Sequence, residues 1–164
     1  GTYSRGQFIQ LAKMIREVVP NCGISTDIIV GFPGETDGEF KKTLDVMEEI
    51  KFDSAFTFKY SPRRGTKAAE YEDQIIDKVK QMRLEMIIAA QKFHTLERNQ
   101  HYVGRVESVI AEKESKRSVN QLAGRTDSNK WVIFDKEDVQ IKDMVPVHIL
   151  EAKGISLHGQ LLKK

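Results

Sequence analysis

The apolar residues after Ser4 follow a helical rhythm. Phe8, Leu11, Ala12, Ile15, Val18 and Val19 fall at the i, i+3, i+4, i+7 spacing of one buried face. Ser4 with Gln7 forms a capping box, and Pro20-Asn21 ends the run. Ile24–Val30 is a β-branched stretch suited to a buried strand, and it runs into Gly31-Phe32-Pro33-Gly34, which reads as a turn. A second box, Thr36 with Glu39, opens a helix carrying Phe40, Leu44, Met47 and Ile50 on one face. Phe52 to Tyr60 then alternates, placing Phe52, Phe56, Phe58 and Tyr60 on one side of a strand. Helix, strand, helix, strand is the order of a parallel α/β sheet.

Residues 74–101 predict one long helix, with Ile75, Val79, Met82, Met86, Ala90, Phe93 and Leu96 as its apolar face. If unbroken it spans about 42 Å. From Val103 the period falls to two. Runs at 103–111, 119–125, 131–134, 145–152 and 155–162, separated by polar or glycine-containing turns, predict a small closed barrel of OB-like type. The fold class is therefore α/β followed by all-β: an α/β part over 1–70, a connecting helix over 71–102 and a β-barrel over 103–164. Two parallel strands are too few for a sheet buried on both faces, so the α/β part reads as an incomplete piece of a larger sheet or barrel. An open edge at Ile24–Val30 favours self-association. The chain shows neither an internal repeat nor a low-complexity segment.

Composition narrows the chemistry. The 164 residues include one cysteine, Cys22, so an internal disulfide and a cysteine-held cluster are both beyond this chain. Cys22 reads as a small packing residue before the strand. The four histidines do not form a metal set: His94 and His101 lie two helical turns apart, and His148 and His158 have no partner carboxylate pattern. No apolar run reaches membrane-spanning length and the amino terminus has no secretory signal, which predicts a cytoplasmic protein without a membrane partner. Residues 1–103 hold 15 basic and 15 acidic side chains, and residues 104–164 hold 11 and 9. The small positive excess lies wholly in the barrel segment, which by itself is a weak sign of nucleic acid.

Three stretches can carry function. In Thr26-Asp27-Ile28-Ile29-Val30-Gly31-Phe32-Pro33-Gly34-Glu35, a strand ends in a turn whose glycines allow close backbone approach, at the end of a sheet where α/β ligands bind. The alternative is a turn whose glycines meet dihedral needs alone. Neither the nucleotide phosphate loop nor Gly-x-Gly-x-x-Gly is present. Asp27, in an apolar strand, either caps a backbone group or accepts hydrogen bonds from a ribose hydroxyl pair. Tyr60-Ser61-Pro62-Arg63-Arg64-Gly65-Thr66 leaves the second strand at the same edge, as an anion-holding loop or a solvated tip. In the barrel, Lys113, Lys116, Arg117, Arg125 and Lys130 with Asn120, Thr126 and Asn129 either suit phosphate and polar contacts to RNA or form a solvated face; Trp131 reads as a core position in preference to a ring that stacks on an unpaired base.

Ser25 to Thr36 and Phe52 to Arg63 with Gly65-Thr66 resemble the radical S-adenosylmethionine methylthiotransferases. The nearest likeness is to the branch that methylthiolates isopentenyladenosine beside the tRNA anticodon. Ser115-Lys116-Arg117-Ser118, Gln121-Leu122, Gly124-Arg125-Thr126, Asn129-Lys130, Glu151-Ala152-Lys153 and Ser156-Leu157 extend the resemblance over nearly the whole chain. It implies that residues 1–70 end a radical-SAM partial barrel and that 103–164 form a TRAM domain that binds tRNA. It also implies that Asp27, Gly31, Pro33, Gly34, Glu35 and Arg63 lie around S-adenosylmethionine. The family's two [4Fe-4S] clusters are held by cysteines that this chain lacks. The resemblance thus implies an amino-terminal portion as partner, and no catalytic or metal-ligating residue among these 164. A stand-alone RNA-binding module and a fragment of the ribosomal-protein aspartate branch are the alternatives.

Overall fold

The computed structural model describes residues 4–20 and 22–163. The chain divides into two compact units, Gly1–Pro20 with Ile24–His94, and Asn21–Gly23 with Thr95–Lys164.

The first unit begins with α1 (Arg5–Val18), capped as its sequence predicts: the Ser4 hydroxyl accepts the Gln7 N–H and the Gln7 side chain accepts the Ser4 N–H. β1 (Ser25–Val30), α2 (Asp37–Ile50) and β2 (Ser54–Lys59) follow. Thr36 caps α2 by accepting the Glu39 N–H. β1 and β2 pair in parallel, from Ser25 opposite Ser54 to Val30 opposite Lys59. Ile28 and Val30 face a core with Ala12, Phe40, Met47, Ile50, Phe52 and Ile87.

The last turn of α2 leaves carbonyls without intrahelical donors, and Lys51 stops it in the left-handed conformation at φ 55°. Arg16 supplies the donors. Its guanidinium binds the carbonyl of Ile50, that of Lys51 at 2.6 Å and the Asp53 carboxylate at 3.3 Å. Asp53 in turn accepts the Ile24 N–H at 2.9 Å, fixing the entry to β1.

Phe56 and Phe58 do share one side of β2, as alternation requires. That side is open: Phe56 is 66% exposed and Phe58 51%, with Ile29 of β1 beside them at 59%. The helices cover only the opposite face.

α3 (Asp77–Gln100) forms where the periodicity places a helix, but its buried face is turned by one residue, about 100°, from the predicted one, so that Ala90 of that face still packs on the core. Met82, Met86, Phe93 and Leu96 are exposed, whereas Lys80, Arg83, Ile87, Gln91 and His94 are buried. The polar side chains go inward because backbone acceptors and carboxylates wait there. Lys80 Nζ binds the Tyr60 carbonyl at 3.1 Å, Gln91 Nε2 binds that of Phe52 at 2.9 Å, and Arg83 meets Glu35 and Asp37. Buried polar groups that find such partners escape the desolvation penalty that ordinarily keeps them outside.

The second unit is a closed five-stranded barrel of β3 (Val106–Ser115), β4 (Ser118–Arg125), β5 (Trp131–Asp135), β6 (Met144–Lys153) and β7 (Ser156–Leu161) in the order β3-β4-β5-β7-β6. All neighbours are antiparallel except β5 with β7. The core includes Val109, Leu122, Val132, Phe134, Val147, Ile149 and Leu157. Two strand glycines permit the tight crossings. A Cβ on Gly124 would stand 2.4 Å from the Ile110 carbonyl oxygen, and one on Gly159 at 2.4 Å from that of His148. The first strand starts at Val106, three residues later than its pattern suggested, because 101–104 form turns.

Candidate nucleic-acid interface

The turn that closes β1 is built around a buried ion pair. Gly31 and Gly34 take φ 79° and 83°, conformations that disfavour any side chain. The Gly31 N–H donates to Glu35 Oε1 at 3.0 Å, and the same oxygen receives Arg83 Nη1 at 2.8 Å. Arg83 also binds the Glu35 carbonyl at 3.0 Å and Asp37 at 2.9 Å. A Cβ on Gly31 would lie 2.3 Å from Lys80 Cγ, and one on Gly34 2.4 Å from Asp73 Oδ2. The close approach that these glycines permit is therefore taken up by the chain itself. Pro33 is buried in the turn, Asp27 is exposed on the open face of β1, and Arg63 is exposed on the loop after β2.

In the barrel, Lys113, Lys116, Arg117, Asn120, Arg125 and Asn129 are exposed, while Thr126 and Lys130 are buried at 5% and 6%. The buried pair shapes a turn. The Thr126 hydroxyl accepts the Lys130 N–H at 3.1 Å, the Thr126 N–H donates to the Lys130 carbonyl at 3.0 Å, and Asn129 sits at φ 64°. The Lys130 ammonium lies 5.8 Å from the centre of the Tyr102 ring. Lys116 and Arg117 form the tip of the β3–β4 hairpin, whose Ser115 and Ser118 hydroxyls accept the Arg117 and Asn120 N–H groups.

Trp131 is only half-buried. It stands opposite Arg125 across the β4–β5 pair, with the guanidinium carbon 5.1 Å and Lys113 Nζ 4.8 Å from its ring centre. A bulge in β3 between Ala111 and Lys113 lies beside Glu112, which grips Arg125 by two bonds, Nε to Oε2 at 2.6 Å and Nη2 to Oε1 at 2.7 Å. That fork holds the Glu112 carboxyl below the ordinary value and raises Arg125. Glu107, on the same strand, is pushed up, chiefly by burial, and His158 is pushed down by burial and then by Lys153. Glu112 escapes a reading of the sequence, because a bulge in β3 breaks the alternation that would assign it a side.

Among the described residues no group of three or more His, Cys, Asp or Glu side chains is placed to hold a metal ion. No helix of the described residues is long and apolar enough to cross a membrane.

Residues 100–162 match the TRAM domain family. Over 162 residues, 99% of its length, the chain is 41% identical to the tRNA-2-methylthio-N(6)-dimethylallyladenosine synthase of Alkaliphilus oremlandii and 43% identical to that of Bacillus mycoides. It is 44% identical over 161 residues, 98% of its length, to the synthase of Halalkalibacterium halodurans. These matches cover 34%, 32% and 30% of the three synthases, so the chain spans about a third of the curated relatives it matches. The chain carries a TRAM domain and is similar, over nearly its whole length, to the C-terminal part of these synthases.

Proposed function

We propose that this chain is the C-terminal part of a tRNA-modifying methylthiotransferase and that its barrel binds tRNA. The observation that carries this reading is the match over 99% of the chain to synthases named for 2-methylthio-N(6)-dimethylallyladenosine in tRNA, joined to the TRAM domain at 100–162. The exposed cations Lys113, Lys116, Arg117 and Arg125, with Asn120 and Asn129 among them, supply the phosphate and polar contacts that RNA requires. Thr126 and Lys130 support the turn beneath that surface. The same names favour tRNA over a ribosomal protein as the substrate.

In this reading the β1–β2 sheet is part of a radical-SAM partial barrel. S-adenosylmethionine would supply the radical and the methyl group, and the groups open to it are the Asp27 carboxylate and Arg63. The turn from Gly31 through Pro33 and Gly34 to Glu35 would act as their support, since Arg83 and Lys80 already engage it. A [4Fe-4S] cluster does not fit this chain. Its one thiol, Cys22, cannot supply the three or four thiolates that a cluster takes, so both clusters would be held by a portion of the enzyme outside these residues.

The test is tRNA binding by the whole chain across a salt series. Affinity should fall as salt rises, with log Kd linear in log salt. Lys116→Ala with Arg117→Ala should flatten that slope by about 2, roughly 1 for each lost phosphate contact. Salt-independent binding, or none, defeats the proposal.

A further inference from the structure

The group of Glu112, Arg125, Trp131 and Lys113 does more than a phosphate contact needs. A phosphate-binding cation works best with its charge free. Here the fork of Glu112 compensates the charge of Arg125 through two short bonds. Both partners are open to solvent, at 32% and 45% of their side chains, and an exposed pair of that kind contributes little to stability. The arrangement instead fixes an orientation. The guanidinium is a rigid plane, one edge is clamped by the carboxylate, and the indole of Trp131 lies against it with Cζ 5.1 Å from the ring centre. Lys113 Nζ, 4.8 Å from the same ring, remains as a cation beside the plane. Planar guanidinium and aromatic surfaces are what unpaired bases stack on in single-stranded RNA.

We propose that Arg125, clamped by Glu112 and backed by Trp131, is a stacking platform for an unpaired nucleobase, with Lys113 placed for the adjoining phosphate. This rests on the reading of the barrel as an RNA-binding domain and adds a base-dependent component to it. The class of ligand is a single-stranded RNA segment with at least one unstacked base.

Trp131 is the only tryptophan, so its fluorescence reports on this site alone. The whole chain is titrated with an adenosine oligoribonucleotide of roughly ten residues, within the span one barrel of this kind covers, and with an abasic strand of equal length. The wild type should quench and bind the base-bearing strand about tenfold more tightly than the abasic one. Arg125→Lys keeps the charge but loses the plane and the fork. It should remove both the tenfold difference and the quench while preserving abasic binding and its salt slope. Glu112→Gln, which leaves the backbone and bulge in place, should narrow the difference without abolishing it. Equal wild-type affinity for the two strands overturns the platform but leaves RNA binding standing. Unchanged behaviour of Arg125→Lys does the same. Failure to bind either strand by a chain that binds tRNA overturns the platform alone, and failure to bind tRNA as well overturns both.

Discussion

Glu35 and Arg83 lie 2.8 Å apart, joining the turn after β1 to a helix 48 positions further along the chain. Their side chains are only 12% and 8% exposed, so neither charge is well served by solvent. Arg83→Leu should leave the Glu35 carboxylate stranded and cost about 3 kcal/mol of unfolding free energy. Glu35→Gln combined with Arg83→Leu should recover much of that loss, since the uncharged amide oxygen still accepts the Gly31 N–H and the other partner, Asp37, has a fully exposed side chain. Urea denaturation of the two variants against wild type decides it; equal losses would show that the ion pair is not the cause.

Gly31 and Lys80 should be coupled. Gly31→Ala suffers twice, from an L-residue at φ 79° and from a methyl group pressed against Lys80 Cγ. The backbone component alone costs about 1–2 kcal/mol. Lys80→Ala removes the Cγ and Cδ in the way, so Gly31→Ala should cost measurably less in that background. A double-mutant cycle reads the difference directly. Additivity would mean that the helix moves aside freely.

Two carboxyls of β3 should titrate on opposite sides of their ordinary value of 4.5. Glu107 is raised, mainly by burial, so its ionisation opposes folding. Its effect favours the native state as pH falls through its folded pKa and disfavours it above. Glu112 is lowered, mainly by its hydrogen bonds from Arg125. Its stabilising effect is present above the ordinary value and is lost as pH falls through the lower folded pKa. Carboxyl carbon shifts followed by NMR across acid pH should show the split. Arg125→Lys should move the Glu112 midpoint upward and leave Glu107 in place. A common midpoint for the two would contradict the geometry of the fork.

Local chemistry was legible where one residue decides it. The Ser4–Gln7 box, the Thr36 cap, the turn at Gly31 and the change of period at the barrel all follow from side-chain type and spacing. The buried face of α3 was not legible, because periodicity ranks Met82 and Phe93 above Lys80 and Arg83 for burial. Only the tertiary fold puts the Tyr60 carbonyl and the Glu35 carboxylate within reach of those cations. Trp131 was misread as core for a related reason. Its two cationic neighbours come from β3 and β4, and the bulge beside Glu112 exists only in the paired sheet. The buried Thr126 and Lys130 show the converse: polar residues in a promising motif can serve the backbone of the turn itself.

The order of strands around the barrel has a consequence for how it is made. β3 finds one neighbour, β4, immediately after it, but the other is β6, where Val106 meets His148 and Ile110 meets Met144. At about 5–20 residues per second on the ribosome, that edge of β3 waits about 2–8 s for its partner. β5 similarly waits for β7, the last strand. Through that interval the nascent barrel is an open ribbon with two unpaired edges, and it closes only once β7 has been made.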